Sequence, residues 1–366
     1  MPFPITKTSA IASFGLLGLL GGTAHAAEDF QVRYNIAGSL GGEVFAPPDQ
    51  SGLAMGVAMT YINVNKITGN DGNTLKSPVP GGTVPLPAPA PSALYPTYGA
   101  NTAEVDVHGT FKVYNLAIGY VTTDRYAGGR LALGINVPYG VKTQNFGANA
   151  ATPALQWNPA VPASTQAAVQ NQFNASYQGR LAAQAAAQSG EVSGLGDIEL
   201  LGGWQYTDDR LRVLAGVSLV LPTGRYSASD GPDIGYGNFY TLRPAVQVGY
   251  LFTPDFAGAA KITLGWNTRN KDNDLRSGNW AGLEGALAYK TPVGAIGVHT
   301  VLVQQYQDDS GNAWGASRFR SSNAGVFFTT KIPGLDAAVT AQVMKTFDSR
   351  NAKSGTFTQL RVIKVF

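Results

Sequence analysis

The 366-residue chain holds three histidines, His25, His108 and His299, and no cysteine. Thiol catalysis, disulfide frameworks and Cys-based metal sites are excluded by that count. His108 stands two residues from Asp106, so in a strand both side chains share a face with Thr110 and Lys112. A hydrolase would need a Ser beside such a pair. None lies near in the sequence, and Ser218 is the long-range candidate. An Asp-His dipeptide of the omptin kind, a His-x-x-x-His and a His-Glu pair are all missing, so protease and zinc chemistry lack their residues. Asp308-Asp309 with Asn312, and Asp230 with Asp233, offer the oxygens that calcium takes. Solvated loop acids are the more economical reading of both, and of Asp272 and Asp274 beside Lys271 and Arg276. No cofactor and no catalytic group is expected. The charged groups embedded in apolar runs are Asp106, His108, Lys112, Lys142, Asp197, Glu199, Arg212, Arg243, Lys261, Glu284 and Lys331. Their mixed signs let them pair across an enclosed space, either lining a pore or simply filling it.

Period-two alternation identifies the elements that carry them. Twelve strands are predicted, over about 53–64, 105–122, 130–143, 195–207, 210–223, 239–253, 258–268, 279–291, 294–307, 323–332, 335–347 and 354–366. In 258–268, Ala260, Ile262, Leu264 and Trp266 oppose Lys261, Thr263 and Asn267. In 335–347, Leu335, Ala337, Val339, Ala341 and Val343 oppose Asp336, Thr340 and Gln342. The apolar face of 105–122 switches near Asn115, which reads as a bulge.

Short and long connections alternate. The short ones fall at 123–129, 208–209, 254–257, 292–293 and 333–334; the long ones fall at 65–104, 144–194, 224–238, 269–278, 308–322 and, only modestly longer, 348–353. Transmembrane β-barrels sort their loops in this way, with short periplasmic turns and longer external loops. Aromatics should then form two girdles. Tyr120, Trp204, Tyr206, Tyr250, Phe252, Tyr289 and Phe366 fall at one end, and Tyr61, Tyr139, Tyr240, Trp266, Trp280, Tyr306, Phe347 and Phe357 at the other. Two loops are unusual. One runs Pro85-Leu86-Pro87-Ala88-Pro89-Ala90-Pro91, favouring extended polyproline. The other, Ala163 to Ser189, is rich in Ala and Gln and favours helix. Either is an external ornament or a lid.

The ends and the composition agree with an all-β transmembrane antiparallel barrel. Residues 1–26 read as a signal peptide: Lys7, an apolar run through Leu20, and Ala24-His25-Ala26 before a mature start at Ala27. The run is shorter than the ~20 residues of a spanning helix. Residues 27–52 are then a periplasmic or lumenal segment and 53–366 the barrel. Charged residues are 13%, against about 25% in soluble domains, and mean hydropathy is −0.04, as alternation requires. Net charge is +3, or +2 once Lys7 leaves, which is no nucleic-acid signature. A terminal Phe366 after an amphipathic run is the usual ending of chains handled by the outer-membrane barrel-assembly machinery. The expected setting is the bacterial outer membrane, as a monomer among lipid and lipopolysaccharide.

Several segments, in order, resemble a family of outer-membrane proteins named for the meta-pathway of phenol degradation. They are Gly42-Glu43-Val44, Gly194-Leu195-Gly196-Asp197-Ile198, Leu221-Pro222-Thr223-Gly224, Tyr236-Gly237-Asn238-Phe239-Tyr240 with Pro244, Gly278-Asn279-Trp280 through Tyr289, and Gln304-Gln305-Tyr306-Gln307-Asp308-Asp309. The resemblance implies a twelve-stranded monomeric channel with an apolar lumen, taking up small hydrophobic or aromatic solutes. Three features depart from it: Ala46-Pro47-Pro48-Asp49-Gln50 replaces a Pro-Pro-Gly-like run, the two unusual loops are long, and Lys364 interrupts the alternation before Phe366. A barrel enzyme centred on His108 and a structural or adhesive barrel are the competing expectations. The solute, the gate and the exit route are left open.

Overall fold

The computed structural model describes residues 32–35, 38–40, 50–87, 90–227, 231–311 and 317–366. The signal peptide, Ala27, Gly42-Glu43-Val44, most of the Ala46–Gln50 run, Asp230 and Asn312 lie outside the described residues. In chain order the strands are β1 (Gly52–Ile67), β2 (Lys76–Val79), β3 (Gly82–Thr83), β4 (Thr97–Tyr98), β5 (Asn101–Tyr126) and β6 (Gly129–Asn149). After helix α1 (Ala163–Ala187) come β7 (Gly190–Leu195), β8 (Glu199–Thr207), β9 (Leu211–Val220), β10 (Thr241–Leu251), β11 (Phe256–Asn267) and β12 (Trp280–Thr291). The last four are β13 (Gly294–Gln305), β14 (Arg320–Ile332), β15 (Ala337–Arg350) and β16 (Lys353–Val365).

Twelve antiparallel strands close into a barrel, with β7 and β8 counting as one interrupted strand along β6. Closure is made by β1, which pairs with β16 on one edge and β5 on the other. In hydrocarbon this pairing is obligatory, because an open edge would leave its amides unsatisfied. All twelve predicted strands are present. On β1, Leu53, Met55, Val57, Met59 and Tyr61 point outward and are exposed, while Ala54, Thr60 and Ile62 are buried inside. No helix of the described residues is long and apolar enough to cross a membrane.

Four expectations are corrected. β5 runs in unbroken register past Asn115 against both neighbours; its irregularity lies lower, between Val121 and Arg125. The apparent face switch has another cause. Above Asn115 the inward residues Val107, Phe111 and Val113 are themselves apolar, while the strand's outer face leaves the apolar belt and becomes polar. Trp280 (0% exposed) and Phe357 (2%) belong to the interior and not to the girdle, since they share strand parity with Glu284 and Arg361. The sixth external connection is only Asn351-Ala352, with Asn351 at φ 46°, a left-handed conformation that Asn tolerates. The strand read over 195–207 is broken at Gly196-Asp197-Ile198.

The inner face is layered. Apolar residues, including Ala54, Ala117, Ala132 and Leu214, line the periplasmic end. A polar belt follows, then a larger apolar cluster containing Ile62, Phe111, Val113, Trp280, Phe319 and Phe357. Above the barrel the two unusual loops pack on each other. α1 presents Val169, Phe173, Tyr177 and Leu181 at every fourth position to Leu86 of the Pro-rich run and to Ala103 and Leu155. The Tyr98 ring lies 4.9 Å from that of Phe173. The helix was legible in the sequence; the shared core with the Pro-rich loop was not.

Candidate functional site

The polar belt grips a segment that precedes the first strand. Tyr34 Oη donates to Glu284 Oε1 at 2.6 Å, and Ser39 N donates to Glu284 Oε2 at 2.6 Å. Lys261, directly opposite Glu284 across the β11–β12 ladder, donates to Ser39 Oγ at 2.8 Å and pairs with the carboxylate at 3.2 Å. Arg361 donates to Ser39 O at 3.1 Å and Arg243 to Arg33 O at 3.0 Å. Arg243 also pairs with Glu199 and donates to Ser218 Oγ at 3.1 Å. Buried charges survive only when paired and hydrogen-bonded, and here the segment's own backbone completes that pairing. Its apolar residues follow the layers. Tyr34 meets Trp280 edge-on at 5.3 Å, and Leu40 sits among Ala257, Ala286, Ala288, Ala295 and Ala338, whose small side chains leave room for it. Residues 32–35 and 38–40 therefore stand as a plug across the lumen.

A second node lies at the break in the wall. Arg33 pairs with Asp197 at 2.8 Å, donates to Gly237 O at 3.1 Å and to Phe239 O, and stacks 4.0 Å from the Phe239 ring centroid. Asp197 also accepts from Gly224 N at 2.8 Å and Tyr236 N at 3.2 Å. A Cβ on Gly224 would meet Gly235 Cα at 2.6 Å and Asp197 Oδ1 at 2.8 Å, so only glycine fits there. Three of the motifs quoted above thus converge on Asp197. Beside them β7 pairs with β6 alone. On its other side, among the described residues, the loop after β9 supplies a bond from Arg225 N to Leu195 O at 3.1 Å.

Of the predicted set, Lys142, Asp197, Glu199, Arg243, Lys261 and Glu284 are buried inside. Arg212 lies half-buried near the periplasmic end, and Lys331 pairs with Asp336 of the adjoining turn at 3.3 Å. Asp106, His108 and Lys112 are exposed, on the face of β5 that carries Tyr114, Leu116 and Ile118. Their placement inside is corrected: polar residues mark the inner face only within the bilayer, and this strand extends beyond its apolar belt. His108 and Ser218 consequently lie on opposite faces of the wall. Asp309 accepts from Gly278 N and Ser317 Oγ, Asp308 pairs with Arg318, and Asp233 accepts from Ser227 N; all three acids brace loops. Among the described residues no three metal-ligating side chains cluster. Sequence reasoning missed Arg33, Tyr34, Ser39, Arg361 and Lys353. Arg361 alternates with Gln359 opposite Leu360 and was detectable by parity; nothing in residues 32–40 announced a plug.

Two cavities lie above the plug. One, of about 510 Å³, sits beneath α1; a slot of about 50 Å³ lies below it and reaches Val32 of the plug. The family model described as "Putative MetA-pathway of phenol degradation" matches residues 94–362. The chain belongs to this family. The match spans α1, the strand break and every strand from β6 to β15, though not the plug. No curated protein matches the sequence. Among solved structures, the COG4313 outer membrane channel from Pseudomonas putida F1 is similar at 15% identity and a TM-score of 0.60, over 87% of this chain and 99% of that one. The CymD monoaromatic hydrocarbon channel aligns at 13% identity over 97% and 99% of the two chains, with a TM-score of 0.41.

Proposed function

We propose that this chain is a channel of the bacterial outer membrane for passive passage of small hydrophobic or aromatic solutes. The observation that carries it is the apolar inner lining of the upper barrel, from Val107, Phe111 and Val113 up to the cavity under α1. A water-filled pore wets a polar lumen; this lining instead favours solutes that leave water. The family's phenol-degradation context and the fold shared with an outer membrane channel support the reading. A solute enters beneath α1, descends to the plug, and passes when the plug shifts. The break in the strand at Gly196-Asp197-Ile198 offers it a sideways exit into the membrane. The protein acts alone, as a monomer surrounded by lipid and lipopolysaccharide, with Phe366 as its handle for the assembly machinery.

The test compares cells with and without the chain for uptake of radiolabelled toluene, phenol and arabinose. Faster toluene and phenol uptake with unchanged arabinose uptake is expected. Arabinose alone moving faster, or no change in any of the three, would overturn the proposal.

A further inference from the structure

The cavity beneath α1 carries a cation that a channel for neutral hydrocarbons does not need. Its walls carry Leu75, Val105, Phe146 and Leu181 beside Ser77, Gln184 and Gln188, and its volume of about 510 Å³ lies within the usual range of small-molecule sites. Among the described residues that line it, Lys353 alone is charged. Lys353 opens β16, is 9% exposed, and lines both this cavity and the slot below. Its ammonium donates to Gln144 Oε1 at 3.0 Å, and Gln144 Nε2 donates in turn to Gln188 O at 3.0 Å, at the C-cap of α1. The carbonyl end of a helix stabilises a nearby cation, so the charge is built into the junction. One step down the same inner face of β6, Lys142 lines the slot, 5.9 Å from the Phe111 ring centroid.

We propose that this cavity binds amphipathic carboxylates, the acid group on Lys353 and the aromatic or alkyl body against Phe146 and Leu181. The inference rests on the channel reading and narrows its solute class. The slot, at about 50 Å³, is too small for a ring. A bound acid therefore waits at Lys353 until the plug shifts, then passes to Lys142. A carboxylate–ammonium hydrogen bond discriminates against a neutral isostere, because charged partners bond more strongly than neutral ones.

Equilibrium dialysis of the purified full chain in lipid nanodiscs tests this with radiolabelled 4-butylbenzoate and its neutral amide. The acid should bind about tenfold more tightly than the amide. Lys353→Met should abolish that preference by weakening the acid far more than the amide, and Lys353→Arg should keep it. Leu181→Trp, which fills the cavity, should weaken both ligands. Equal affinities in the unaltered chain, a measurement independent of any variant's folding, would overturn the proposal, as would Lys353→Met weakening both ligands alike. Failure of the channel reading is seen separately, as toluene uptake that does not depend on the chain.

Discussion

Arg33 and Asp197 meet at 2.8 Å across 164 residues of sequence, and this pair ties the plug to the break in the barrel wall. Removing one member leaves the other buried and unpaired, which costs about 3–5 kcal/mol. Arg33→Met or Asp197→Leu should therefore loosen the plug. A loss of about 3 kcal/mol would raise the occupancy of a conducting state by roughly a hundredfold. Single-channel recording in planar bilayers measures it; currents matching those of the unaltered chain would remove the latch. The double variant should be less perturbed than the sum of the singles, since neither charge is then stranded.

Glu284 is the heavier anchor, because Tyr34, Ser39 and Lys261 all converge on its carboxylate. Glu284→Ala removes the carboxylate on which Tyr34, Ser39 and Lys261 converge and should lower stability by about 3–5 kcal/mol. Tyr34→Phe deletes one hydrogen bond to a charged group and should cost about 1.5–3 kcal/mol. Urea unfolding in lipid vesicles, followed by tryptophan fluorescence, gives both differences as shifts of the midpoint. If Tyr34→Phe proved as damaging as Glu284→Ala, the anchor would be the tyrosine and not the acid.

Strand number, the first five long loops and the helix were legible because lipid and backbone pairing leave few alternatives: a twelve-strand chain must alternate and close. Most buried charges were legible for the same reason, since Lys261 and Glu284 interrupt apolar runs at period two. Asp106, His108 and Lys112 misled because polar-means-inside holds only at bilayer depth, and β5 extends to 26 residues. Trp280 misled because aromatics at strand ends usually face lipid, yet its parity with Glu284 already placed it inside. The plug had no periodic signal. Its residues are fixed by partners more than 160 positions away, so only the folded chain shows them.

Gly282 offers a way to move the plug without touching any hydrogen-bonding group. A Cβ there would lie 2.5 Å from the Tyr34 ring, so Gly282→Ala must push the ring aside at about 1–3 kcal/mol. Gly285, on the opposite face, is the control: its Cβ would meet Thr300 at 3.6 Å, an ordinary contact. Gly282→Ala should raise bilayer current and Gly285→Ala should not. Equal currents from the two variants would show that the Tyr34 ring does not occlude the path.

A deletion in the external cap separates a roof from a gate. The slot that Lys353 shares with the plug is about 50 Å³, whereas α1 covers a cavity of about 510 Å³. Replacing 151–188 by a short linker keeps β6 and β7 intact. Gln144 pairs with Gly190, so the linker must span five residues of strand, about 17 Å, and eight Gly/Ser residues reach that far. Conductance should then stay within about twofold, because the constriction is untouched, while removal of residues 32–40 should raise it far more. Binding of a carboxylate at Lys353 should weaken in the first variant, which has lost Leu181 and the C-cap of α1. A large current increase on losing α1 alone would return the gate to the loop.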